Sequence, residues 1–149
     1  MTERKQRTQR KQRGTILFVC TGNACRSQMA EGFAKRMLPG WCVFSAGTIA
    51  AGVHPTTAEV MREIDIDISE QRSKTVAETP VAEIDYVVTL CGDAKERCPA
   101  FPKAEKKVHW PIDDPIYSVG TEREMEEFRR AREDIRGRMA RLAKELTGD

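Results

Sequence analysis

Residues 16–31 read Ile16-Leu17-Phe18-Val19-Cys20-Thr21-Gly22-Asn23-Ala24-Cys25-Arg26-Ser27-Gln28-Met29-Ala30-Glu31. Four apolar residues, two of them β-branched, run into Cys20, which is the pattern of a short buried strand. Beyond Arg26 the apolar residues Met29, Ala30, Phe33, Ala34 and Met37 recur at helical spacing. Cys20 to Arg26 is therefore a strand-to-helix turn. The N–H groups of such a turn and of the first helical turn converge on a point and bind anions. Gly22 and Asn23 are residue types that tolerate a positive φ, which a tight loop of inward-pointing amides often needs.

Cys20 stands at the mouth of that turn. A helix N-terminus and a nearby Arg26 both favour thiolate over thiol. The Arg26 guanidinium matches two oxygens of a tetrahedral anion, and the Ser27 hydroxyl is placed to donate to the thiolate. A bare Cys-x5-Arg is more often a buried strand cysteine before a capping turn. The strand before, the helix after and Gly22-Asn23 inside turn the reading toward a nucleophile in an oxyanion cradle made of Thr21, Gly22, Asn23, Ala24, Cys25, Arg26 and Ser27.

Working outward, Thr15–Val19 reads as a first strand and Arg26 to Leu38 as a first helix, stopped by Pro39-Gly40. Trp41–Ser45 is a second strand and Pro55–Ile64 a second helix with proline in its first turn. Residues 69–79 read as loop with a short helix. Ile84–Leu90 is a fully apolar third strand, Gly92–Cys98 a short helix or turn, and Lys107–Trp110 a fourth strand. Pro111–Tyr117 is a loop. From Glu122 to Leu146 one long helix carries Met125, Phe128, Ala131, Ile135, Met139, Leu142 and Leu146 on one face. Alternating strands and helices predict an α/β fold with a parallel sheet covered on both faces.

The chain of 149 residues is of single-domain length, and 32% charged with 40% hydrophobic residues is ordinary for a soluble globular protein. No apolar run is long enough to span a bilayer, and the polar, basic N-terminus has no apolar core of an export signal. Five cysteines in that setting point to a reducing cytosol and to thiols rather than permanent disulfides. No cysteine pair accompanies a spaced histidine pair, so no metal is expected, and His54 and His109 read as structural. Six basic residues against Glu3 give residues 1–13 a charge of +5, leaving −3 for the rest of a chain of net +2. Without aromatic residues or an apolar stripe, this stretch reads as a disordered tail, 1–13, ahead of a domain at 14–149, and not as a nucleic-acid binder.

Two later stretches bear on chemistry. Asp113-Asp114-Pro115 follows the fourth strand. A carboxylic acid facing the cradle would supply the proton that a departing oxygen needs, although Asp-Pro is also common in plain turns. Cys91 closes the third strand, so it lies at the same carboxyl edge of a parallel sheet as Cys20, with Cys98 seven residues on. Cys42, in the second strand, reads as a core residue.

The run Val-Cys-Thr-Gly-Asn-Ala-Cys-Arg-Ser-Gln-Met-Ala-Glu resembles the signature loop of the low-molecular-weight protein tyrosine phosphatase fold. With Cys91 and Cys98 it is most similar to the branch of thioredoxin-coupled arsenate reductases, over residues 14–146. The resemblance implies a three-layer single domain with four parallel strands in the order 2-1-3-4. It also implies a reaction. Cys20 attacks arsenate held by the loop and Arg26, while Asp114 rather than Asp113 protonates the departing oxygen. Cys91 attacks the Cys20 adduct and releases arsenite; Cys98 then attacks Cys91, leaving a Cys91–Cys98 disulfide for thioredoxin to reduce. Cys25 has no part in that relay. No cofactor is implied; phosphate or sulfate would compete with arsenate, and the protein would be a cytoplasmic monomer. Some members hold potassium near the loop. Asn23, Glu31 and Ser45 match residues of that site, whereas Arg72 and Lys74 stand where those members have Thr and Asp, so the Lys74 ammonium is expected in the cation's place. On an intact helix Cys91 and Cys98 would sit about 10 Å apart, too far for a disulfide, which implies that residues 91–98 unwind on oxidation. Two alternatives stay open: a tyrosine phosphatase of the same fold, for which Ile116-Tyr117 offers one aromatic after Asp-Pro where that branch has two, and an anion-binding thiol sensor without turnover.

Overall fold

The computed structural model describes residues 13–92 and 101–147. Nearly all of the expected tail, Cys98 and the expected 92–98 turn beyond Gly92 lie outside the described residues. Strands β1 (Gly14–Cys20), β2 (Trp41–Gly47), β3 (Tyr86–Thr89) and β4 (Lys106–His109) form one parallel sheet in the order β2-β1-β3-β4. The described helices are α1 (Arg26–Met37), α2 (Pro55–Arg62) and α3 (Glu124–Thr147). This is the expected α/β architecture and strand order.

The central strand shows why the sheet must be covered. Ile16, Leu17, Phe18 and Val19 are all fully buried. Successive strand residues point to opposite faces, so neither face of β1 meets water. Helix α1 packs on β1, β2 and α3, and α2 packs on α1 and α3. The buried residues of α3 are Phe128, Ala131, Ile135, Met139 and Leu142, one stripe at helical spacing.

Differences from the expected elements are local. β3 is limited to Tyr86–Thr89, although the Asp85 and Leu90 amides still donate to Thr15 and Val19 of β1. Pro115–Ser118, expected as loop, is a 3-10 turn capped by the Asp114 side chain. Cys42 is half-buried and stands outside the core, because β2 is an edge strand of the sheet.

The sheet edge is built closely at one point. β1 and β2 pair through Cys20↔Gly47. A Cβ on Gly47 would meet the backbone at 2.2 Å from the Ile49 carbonyl, 2.7 Å from the Asn23 amide and 2.7 Å from the Thr21 carbonyl. Only glycine lets the 48–51 segment lie against the turn after β1. Gly47→Ala is expected to destabilise the protein by at least about 1–3 kcal/mol in chemical denaturation. In Gly137→Ala the nearest heavy atom would be 3.9 Å away. That helix substitution is expected to be neutral or to add up to about 1 kcal/mol.

Candidate active site

The turn after β1 is held from outside by its carbonyls. Cys20 accepts from the Thr48 amide, Thr21 from Ile49, Gly22 from Ala51, Ala24 from His54 and Cys25 from Met29. Asn23 accepts from Gln28 Nε2, and Thr57 Oγ1 adds a second bond to Ala24. The amides of Thr21 to Arg26 donate to no described residue. With every carbonyl drawn outward, the peptide planes turn their N–H groups inward, ahead of the first turn of α1. That is an anion-binding concavity.

Asn23 makes the reversal. Its φ is +50°, in the left-handed region, and the residue is fully buried. Its side chain uses all four of its hydrogen-bonding positions. Nδ2 donates to Ser27 Oγ at 2.7 Å and to Ser45 Oγ at 3.0 Å. Oδ1 accepts from Gln28 Nε2 and from the Lys74 amide, both at 2.9 Å. Because Ser27 Oγ accepts from Asn23, its own proton is free to point at Cys20 Sγ, 2.8 Å away. Ser45 in turn donates to Glu31 Oε1 at 2.5 Å.

Arg26 ties the turn to two other strand ends. Its Nη1 donates to the Leu90 carbonyl at 3.2 Å and the Ile112 carbonyl at 2.9 Å. Nη2 meets Asp114 Oδ2 at 3.0 Å. Nε is buried and has no partner among the described residues. A buried charged donor left unpaired is costly unless an acceptor visits it, and an oxyanion in the cradle is such an acceptor. Asp114 is also fixed through Oδ1, which accepts from the Ile116 amide at 3.0 Å; Asp113 is exposed.

Cys91 lies beside the cradle. β1 and β3 pair through Val19↔Thr89; Cys20 ends β1 and Cys91 stands two residues beyond the end of β3. Thr21 Oγ1 donates to Cys91 Sγ at 3.1 Å. Cys25 is buried in the turn, and that burial pushes its thiol up to about 12. It stays protonated at neutral pH and is no nucleophile there. A cleft of about 390 Å³ opens over Cys20, lined by Arg26, Asp114 and an apolar wall of Ala51, Val53, Ile116 and Tyr117.

Gln28, Gln71 and Thr57 were not singled out by the sequence reading, yet they brace the turn. Gln71 Nε2 donates to Gln28 Oε1 at 2.8 Å. The available signal was a glutamine, fully buried here, beside the apolar stripe of α1. His54 caps α2, its Nδ1 accepting from the Thr56 amide, and it lines the cleft.

The residues matched to a potassium site are occupied by the chain's own donors. Glu31 Oε2 pairs with Lys35 Nζ at 2.6 Å. Lys74 Nζ donates to the Arg72 carbonyl at 2.9 Å, which also accepts from Gln28. Partial burial lowers the Lys74 pKa, against the opposing pull of Glu31. Glu31 thus meets the Lys35 ammonium directly and the Lys74 ammonium only through longer-range attraction. Asn23, Ser45 and Glu31 are joined to one another and to Lys35 by hydrogen bonds.

The family described as low molecular weight phosphotyrosine protein phosphatase matches residues 15–149. An arsenate reductase of Halalkalibacterium halodurans is 49% identical over 130 residues, covering 86% of this chain and 94% of that protein. Among solved structures, an arsenate reductase in the phosphate binding state superposes with a TM-score of 0.78 at 35% identity, covering 89% of this chain and 98% of the other. The Corynebacterium glutamicum thioredoxin-dependent arsenate reductase superposes with a TM-score of 0.71 at 28% identity, covering 90% of this chain and 62% of the other.

Two outcomes are expected of this site. Activity and melting temperature should be nearly equal in potassium chloride and in a tetraalkylammonium chloride at matched ionic strength; a potassium-specific rise in melting temperature would contradict that. Cys25 is raised in the fold from 9.0 to about 12. Its protonated form therefore contributes stability fully below pH 9.0, and that contribution is lost as the pH rises to about 12. Denaturation midpoints should fall over that window, and fall less in Cys25→Ala.

Proposed function

The chain belongs to the low molecular weight phosphotyrosine protein phosphatase family, among its arsenate reductases, and we propose that it reduces arsenate to arsenite through an intramolecular thiol relay regenerated by thioredoxin. The observation that carries this reading is the pairing of an inward-facing amide cradle around Cys20 with a second thiol, Cys91, across Thr21. A hydrolase needs the first; only a redox route uses both.

Arsenate enters the cradle with its oxygens on the Thr21–Arg26 amides and on Arg26 Nε. In doing so it competes with Asp114 for the guanidinium, and its negative charge favours the protonated carboxyl, which makes Asp114 available as the acid. Cys20 attacks arsenic as the thiolate, accepting a hydrogen bond from the Ser27 hydroxyl, and the departing oxygen leaves as water with the Asp114 proton. Cys91 then attacks Cys20 Sγ. The S–As bond breaks, its electron pair stays on arsenic, and arsenite leaves. Cys98, known here from sequence alone, attacks Cys91 and frees Cys20; thioredoxin reduces the Cys91–Cys98 bond.

A second reading has its own observation. The apolar wall of Ala51, Val53, Ile116 and Tyr117 is more than an inorganic anion needs. It suits the ring of an aryl phosphate, and weak phosphatase side activity is part of the proposal.

The test is arsenate-dependent NADPH consumption with thioredoxin and its reductase, run beside aryl phosphate hydrolysis. Cys20→Ser should abolish both activities. Cys98→Ser should keep one turnover of arsenate and lose the rest; full turnover in that variant would reject the three-thiol scheme. Asp114→Asn should lose roughly 10²–10⁴-fold in arsenate reduction, and Asp113→Asn less. An unchanged rate in Asp114→Asn would favour a different acid or a sensor without turnover.

A further inference from the structure

Cys91 must lose a proton before it can attack, since the thiolate is the nucleophile. Thr21 Oγ1 donates to its Sγ. A donating hydroxyl favours the thiolate once formed but takes up no proton. Among the described residues, the other titratable groups that line a cleft with Cys91 are Arg26 from α1, His109 from the end of β4, and Asp113, Asp114 and Tyr117 from the loop that follows. Arg26 carries no basic site, Asp113 is exposed, and the Asp114 carboxylate, whether on Arg26 or released by the anion, is by type a weaker base than an imidazole. Lys107, two residues before His109 on β4, lies over the Phe101 ring, 5.5 Å from its centroid. Histidine is the side chain of this group suited to exchange a proton near neutral pH.

The sheet register brings the imidazole there. β3 and β4 pair through Thr89↔His109, and Cys91 stands two residues beyond Thr89. His109 Nδ1 lies 2.8 Å from Thr89 Oγ1. The Thr89 hydroxyl also has the Val108 carbonyl at 3.5 Å. Donating to that carbonyl, it accepts the Nδ1–H, and the ring then carries its lone pair at Nε2. Thiol, imidazole and an orienting hydroxyl in one cleft follow the order of nucleophile, base and orienter.

We propose that His109, oriented by Thr89, accepts the Cys91 proton in the step that releases arsenite. This rests on the reading that Cys91 attacks the Cys20 adduct. The Cys91 proton passes to His109 Nε2, and the thiolate pair forms the Sγ–Sγ bond to Cys20. The S–As bond breaks with its pair left on arsenic, so the two sulfurs are oxidised and As(V) becomes As(III). The imidazolium returns its proton to the departing arsenite or to solvent.

The test is a single turnover of the reduced full-length protein with excess arsenate and no thioredoxin. Arsenite release is timed from about pH 6 to 10 for wild type, His109→Gln and Thr89→Val. At pH 7 His109→Gln should be roughly ten- to a hundred-fold slower. The deficit should shrink to within about three-fold near pH 9.5, where a thiol ionises unaided. Thr89→Val keeps the imidazole and should show the same pH-dependent deficit, smaller in size. Equal rates in wild type and both variants at every pH would overturn the proposal, and so would a deficit that is constant with pH, which marks a structural role only. No arsenite from wild type would reject the arsenate reading itself, whereas arsenite from wild type with either overturning result rejects only the role of His109.

Discussion

The site depends on one buried residue held in an uncommon backbone conformation. Asn23 sits at a φ of +50° with no exposure to water. A non-glycine residue there costs of order 1–3 kcal/mol and persists only where its surroundings over-determine it. Four hydrogen bonds to its side chain do that. They come from three places in the chain: α1, β2 and the loop before the Val76–Glu78 turn. The reversal at Asn23 turns the loop carbonyls outward and the amides inward, so the donors of the cradle are set before any anion arrives. Preorganised donors need no rearrangement at the moment of reaction, and they act most strongly where water is excluded.

The same side chain organises the thiol. Reading donors and acceptors in order, Asn23 gives its protons to Ser27 and Ser45, Ser27 gives to Cys20, and Ser45 gives to Glu31. One amide group thus serves two chains of bonds that end on groups able to carry negative charge. Glu31 is buried, and Lys35 one helical turn on compensates it. A buried carboxylate without such a partner would be costly. The polar set behind the cradle is joined within the chain and ends on the Glu31–Lys35 pair.

Arg26 joins the cradle to the rest of the sheet edge. Its guanidinium reaches the carbonyls after β3 and β4 and the carboxylate of Asp114. The loop after β1 therefore cannot shift without disturbing the segments that carry Cys91 and Asp114. The fold is shared with phosphatases, and function lies in what is grafted on it. On this chain a thiol, Cys91, stands just beyond β3, within a hydrogen bond of the cradle's own Thr21.

Much of this was legible in the sequence. The apolar run before Cys20 and the helical spacing after Arg26 specify the strand, the turn and the helix, because those periodicities are local. The strand order, implied by resemblance, agrees with the sheet. Cys91 could be placed at the edge shared with Cys20, because parallel strands all end on one side. Other features were not legible, since they depend on register and burial. That Thr89 faces His109 follows from pairing between β3 and β4, which no local pattern encodes. That Gln28 and Thr57 serve the cradle and that Cys42 lies on an edge strand outside the core were likewise decided by packing. Sequence periodicity tells which residues face inward; only the assembled tertiary structure decides what each then meets, because partners such as Thr57 and Ala24, or Thr89 and His109, lie 33 and 20 residues apart along the chain.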